Sequence, residues 1–165
     1  MMRVMLGAGL AALMIGCGDK DSDTDTGADS VGGDDATAAE VWDEIDGYSS
    51  WGQLTGHEGV TEATSVHTDY IQIWLNPTAL ANAEAGEPLA DGAIVIKETY
   101  SDDAGASLQD ISVLKKIDGY YADGNDLFWA QYDADGAIKT SGTPDGCVNC
   151  HIGSDSDGDG LTFNE

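Results

Sequence analysis

Asp91-Gly92-Ala93-Ile94-Val95-Ile96-Lys97-Glu98-Thr99-Tyr100 decides the fold of this 165-residue chain. An Asp-Gly turn signal leads into a run dominated by β-branched and aromatic residues, the composition of a strand. Side chains alternate along a strand, so Lys97 shares a face with Val95 and Thr99, while Ile94, Ile96, Glu98 and Tyr100 face the other way. Downstream, Asp102-Asp103-Ala104-Gly105 turns towards a second strand over residues 111–117. After Asp118-Gly119 and Asp123-Gly124-Asn125, a third strand over residues 127–132 ends at Asp133-Ala134-Asp135-Gly136. Upstream, Tyr70-Ile71-Gln72-Ile73-Trp74-Leu75 is β-rich and stops at Asn76-Pro77, where Pro77 opens a helix through Ala85 that Gly86 closes. Thr37 is suited to cap a short helix through Val41, Trp42 and Ile45, ended by Gly47. Consecutive strands joined by short acidic-Gly turns predict an α+β fold, mainly an antiparallel sheet with few peripheral helices, in a single domain over residues 41–165.

Lys97 is the odd residue of its strand. A central strand hardly brings a cation inward without a partner, because burying a bare ammonium is costly. The other reading is a sheet-face lysine that snorkels to solvent or pairs with an acid.

Cys147-Val148-Asn149-Cys150-His151 reads as a covalent c-type haem attachment site, with one haem per chain. Two thiols three positions apart add across the two vinyl groups of one porphyrin, and the adjacent imidazole ligates the iron. Half a zinc site is a poorer reading, since only Cys17, His57 and His67 remain as further Cys or His ligands. A thioredoxin-like redox pair would want a strand before the cysteines and a helix opening at them; a turn-forming stretch, Ser141-Gly142-Thr143-Pro144-Asp145-Gly146, comes first. The surrounding pattern is neither the helix-rich one of small electron-transfer cytochromes c nor a four-helix bundle. All four methionines lie at or before Met14, which leaves no thioether for a sixth ligand after processing. His57 and His67 sit in a polar loop or at a strand start, the setting of surface or hydrogen-bonding histidines.

The N-terminus points to export. Arg3 and the apolar run over residues 4–15 form a secretory signal over residues 1–16, too short for a membrane span. Met14-Ile15-Gly16-Cys17 resembles a bacterial lipobox with Met at its first position, so Cys17 is expected to carry a lipid anchor in the cell envelope. Gly18 rather than Asp follows, which favours the outer membrane over the inner. Residues 17–40 alternate acids with small polar residues and are expected to form a solvated tether. Net charge is −25, with 31 acids against six Lys and Arg. That excludes nucleic acid as a partner for the body of the protein, and suits a basic redox partner or a small neutral or cationic substrate.

At the other end, Ser154-Asp155-Ser156-Asp157-Gly158-Asp159-Gly160 has the opening of a calcium loop at Asp155, Asp157 and Asp159. The twelfth position falls past Glu165, and a solvated acidic tail is the alternative.

Trp51, Tyr70 to Pro77, Gly92 to Glu98, Leu127-Phe128-Trp129-Ala130 with Asp135-Gly136, and Cys147 to His151 together resemble the cytochrome P-460 family. The resemblance covers about residues 48–151. It implies an exported, β-rich mono-haem protein, often a homodimer. In the namesake members a lysine, here matched by Lys97, is joined covalently to the haem edge, and hydroxylamine or nitric oxide is oxidised. Their relatives, the cytochromes c′-beta, lack that bond and bind nitric oxide or carbon monoxide at a five-coordinate iron. Two departures stand out: Ile71 occupies the place of a frequent arginine, and only Phe128 and Phe163 are available as pocket phenylalanines. A small nitrogen ligand or substrate is thus implied, turned over by an oxidoreductase or bound by a gas-binding protein, with a plain electron carrier as a third alternative.

Overall fold

The computed structural model describes residues 31–63 and 69–152. Six strands form one antiparallel sheet in which spatial order follows chain order: β1 (Thr61–Glu62), β2 (Tyr70–Leu75), β3 (Ile94–Tyr100), β4 (Leu108–Lys116), β5 (Leu127–Asp133) and β6 (Ile138–Gly142). Three α-helices complete it: α1 (Val31–Glu44), α2 (Pro77–Ala85) and α3 (Asp145–His151). Among the described residues, no helix is long and apolar enough to cross a membrane.

The alternation read from β3 divides the core into two layers. On one face Ile94, Ile96, Ile111, Val113, Phe128 and Tyr132 pack against Ala38, Val41 and Ile45 of α1. The spacing of those three helix residues puts them on one stripe. On the other face Leu75, Ala79, Ala93, Val95, Leu114, Leu127 and Trp129 form a second cluster, against which Cys147, Val148 and Ile152 pack. Strand β3 therefore presents Ile94 and Ile96 to one layer and Val95 to the other.

The corner after β2 behaves as its Asn-Pro pair dictates. Asn76 Oδ1 accepts from the Ala79 and Ile94 amides at 2.8 and 3.1 Å, and Asn76 Nδ2 donates to the Gly92 carbonyl at 2.9 Å. One side chain thus caps α2 and ties it to the start of β3. Gly86 ends α2 in the left-handed region at φ 66°, a conformation that favours glycine.

Strand β4 runs over Leu108–Lys116 rather than 111–117, and β1 was not expected; two larger differences from the sequence expectation concern α1 and the end of the described chain. Helix α1 starts at Val31, so Thr37 is inside it rather than at its cap, and residues 31–40 are not tether. Tertiary bonds recruit this acidic segment: Tyr120 Oη donates to Asp34 at 2.6 Å, Ser141 Oγ to Asp35 at 2.7 Å, and Tyr132 Oη to the buried Ala38 carbonyl at 2.7 Å. The second difference is β6 with α3, where a turn-forming stretch was expected. Residues 141–142 end β6, and a helix opens at Asp145.

Candidate haem site

Helix α3 carries the attachment string. Pro144 precedes it in extended conformation, and its carbonyl accepts from the Cys147 and Val148 amides at 2.9 and 3.0 Å. That first turn brings Cys147 and Cys150, three residues apart, onto one side of the helix. Neither cysteine is in a disulfide; Cys147 is partly buried and Cys150 exposed. His151 is the last residue of the helix and is half-buried. Among the described residues, no group of three or more His, Cys, Asp or Glu side chains is arranged to hold a metal ion. The strand before the cysteines and the helix beginning beside them are the context a redox pair would want. However, β6 is an antiparallel edge strand, not the parallel strand of a βαβ unit.

Lys97 lies on the same sheet face. Its directly opposed neighbours are Ile73 on β2 and Ser112 on β4. Burial pulls its amine from 10.5 down to about 8, and that fall is opposed by the charges of Cys147, Asp110 and Cys150 in that order. The reciprocal effect is present at Cys147, where burial pushes the thiol up while Lys97 draws it down. Lys97 and the two cysteines, 50 and 53 positions apart in the chain, therefore occupy one electrostatic environment. Thioether formation would remove the two thiol contributions that hold the amine up.

Beyond Lys97 the face turns polar. Thr99 is opposed by Asp110, and Asp110 by Asp133; Asp110 also pairs with Lys139. Ile71, standing where the family often has arginine, is opposed to Thr99 and so belongs to this face. Phe128 does not. It is fully buried in the α1 layer, with its ring edge-on to Tyr120 at 5.5 Å. One position further along β5, Trp129 lies in the layer that contains Cys147 and is 5% exposed. Its Nε1 is buried without a hydrogen-bond partner. Leaving such a donor unpaired costs about 1–3 kcal/mol. The sequence marked Trp129 as part of a strand and of the family resemblance; the burial of its indole N–H is a feature of packing that no local pattern reveals.

His57 is half-buried in a loop, its amide bonded to the Leu54 carbonyl at 2.9 Å. Cys17, His67, Phe163 and the candidate calcium residues Asp155, Asp157 and Asp159 lie outside the described residues.

The donor set fits a haem. Two thiols outside any disulfide lie on one helical turn with an imidazole beside them, against an apolar sheet wall that holds an unsatisfied buried N–H. The fold and the site together define a β-sheet cytochrome, distinct from the helical kinds. The family profile described as Cytochrome P460 matches residues 45–161, and the chain belongs to that family. A haem cofactor accompanies this membership. Comparison with curated proteins found no match.

Proposed function

We propose that this is an exported mono-haem c-type cytochrome that oxidises a small nitrogen species, hydroxylamine or nitric oxide, at an open iron site. Cys147 and Cys150 hold the haem through thioethers, and His151 ligates the iron. Bound haem would supply a redox-active iron with a free coordination position. The observation that carries the reading is Lys97, largely buried on a strand and coupled electrostatically to both attachment cysteines. A lysine drawn down to about 8 is partly neutral near pH 8, when its nitrogen lone pair is free either to bond to the haem edge or to take a proton. Electrons leave to an external acceptor, and the net charge of −25 favours one with a basic surface. Export and lipid anchoring at Cys17 with residence on the outer membrane belong to the same proposal, as does pairing into a homodimer. The tether is then the segment before Val31.

The second reading, a nitric oxide or diatomic-gas binder without turnover, is favoured by the hydrocarbon wall that Val95, Leu114, Leu127 and Ile73 build beside the cysteines. Lys97→Leu separates the two. For the enzyme, intact mass of the wild type shows a third protein–haem bond, which the variant loses together with hydroxylamine turnover by an artificial acceptor. For the gas binder, the wild type shows only two thioether bonds and no turnover, and the variant changes spectrum and ligand affinity alone. Unaltered spectrum, affinity and turnover in Lys97→Leu would remove the lysine from the site.

A further inference from the structure

Two indoles on this sheet lie on its opposite faces, and the contrast between their N–H groups is informative. Trp74 Nε1 donates to Glu98 Oε2 at 2.7 Å, and Tyr48 Oη donates to the other oxygen of the same buried carboxylate at 2.6 Å. On that face the chain supplies its own acceptor. Trp129, on the opposite face, is the more enclosed of the two at 5% exposure, yet its Nε1 has no acceptor. Its layer is built from Leu75, Val95, Leu114 and Leu127, whose side chains are hydrocarbon, and strand carbonyls here are engaged in the ladder. Buried indole N–H groups find a partner in finished structures. The layer that leaves this one without a partner is the one against which Cys147, Val148 and Ile152 pack.

We propose that the Trp129 indole N–H donates a hydrogen bond to an oxygen acceptor that arrives with the haem: a haem carboxylate, or the oxygen of a small ligand on the iron. The inference rests on haem binding at Cys147, Cys150 and His151. Trp129 is then a positioning residue that completes its hydrogen bonding only in the loaded protein. No other group on a porphyrin is a strong oxygen acceptor, which limits the partner to these two sources.

The test uses the full-length holoprotein and Trp129→Phe, which keeps an aromatic ring and removes the donor. Haem retention through acid-acetone extraction is checked first in both. Wild type that loses its haem overturns the attachment reading and this inference with it. With haem retained, a carboxylate acceptor is expected to make the pH dependence of the midpoint potential differ between wild type and variant, with the carbon monoxide stretch unchanged. An iron-bound acceptor is expected to shift the carbon monoxide stretch of the ferrous complex, with the pH dependence of the potential unchanged. Movement of either quantity supports the proposal and identifies the source. If neither moves while haem is retained, the proposal is overturned and the attachment reading stands. Should Trp129→Phe fold poorly by circular dichroism, Trp129→Tyr retains a ring with a displaced donor and is judged by the same two measurements.

Discussion

Replacing Lys97 by Met in the haem-free protein is expected to stabilise it at neutral pH, with a pH profile that identifies the cause. Met matches the lysine stem in bulk and removes the ammonium. The folded-state amine lies near 8 against 10.5 in the reference state, chiefly because burial disfavours its charge. That difference corresponds to about 3 kcal/mol of cost for keeping the cation in the sheet. The amine is depressed in the folded state, so the unfolded chain binds more protons between about pH 8 and 10.5. Stability of the wild type therefore rises with pH through that window, and the cost is fully present below it. The gain in Lys97→Met should be about 3 kcal/mol at pH 7, shrink from pH 8 upward, and vanish near 10.5. Tyr48, Tyr100, Tyr120 and Tyr132 are all held above their ordinary 10.0, first by burial, and their stabilising contribution falls away as the unfolded tyrosines ionise above pH 10. They are common to both proteins and cancel in the difference. Urea unfolding at intervals from pH 7 to 10 measures it, in a Cys147→Ala, Cys150→Ala background that cannot attach haem. Removing the thiols also removes two influences that raise the amine, so the gain should be no smaller there. A variant equal to or less stable than its parent at pH 7, or a gain that does not change with pH, would refute the burial argument.

Cys147→Ala with Cys150→Ala should abolish the haem that wild type retains through acid-acetone extraction, as read by haem-stained gels of whole protein. Cys17→Ser should move the protein from the membrane fraction to the soluble fraction of the envelope; wild type that is already soluble would refute lipid anchoring. Tyr132→Phe should destabilise the fold by about 1–3 kcal/mol in urea, because the buried Ala38 carbonyl loses the donor that ties α1 to β5.

The sequence revealed most where the physics is local. Strand β2 and helix α2 appear with the bounds their Asn-Pro junction and closing glycine imply, since strand composition, the proline and the left-handed cap are properties of a few adjacent residues. The face of Lys97 was legible for the same reason: a period of two needs only its immediate neighbours. Strand β6 was not legible. Its residues, Ile-Lys-Thr-Ser-Gly, are mostly exposed or half-buried at the sheet edge, so no apolar alternation marks it, and what makes it a strand is the ladder to β5. The acidic start of α1 failed in the opposite direction. Asp34 and Asp35 look like tether by composition, but accept bonds from Tyr120 and Ser141, residues 86 and 106 positions away.

Phe128 and Trp129 show what this means for the site. As sequence, the phenylalanine invites assignment to a haem pocket because relatives close their pockets with that residue. Alternation allows only one of two adjacent strand residues to face the cysteines, and the sheet resolves the choice by register: Trp129 opposes Leu114, itself opposed to Val95, whereas Phe128 opposes Lys115. The phenylalanine goes to the α1 layer and the indole to the cysteine layer. A phenylalanine in that layer would present only hydrocarbon to a haem proposed there, whereas Trp129 presents an N–H as well. The chemistry of this face therefore depends on a phase of one residue along β5, which the composition of the strand leaves open and its register to β4 fixes.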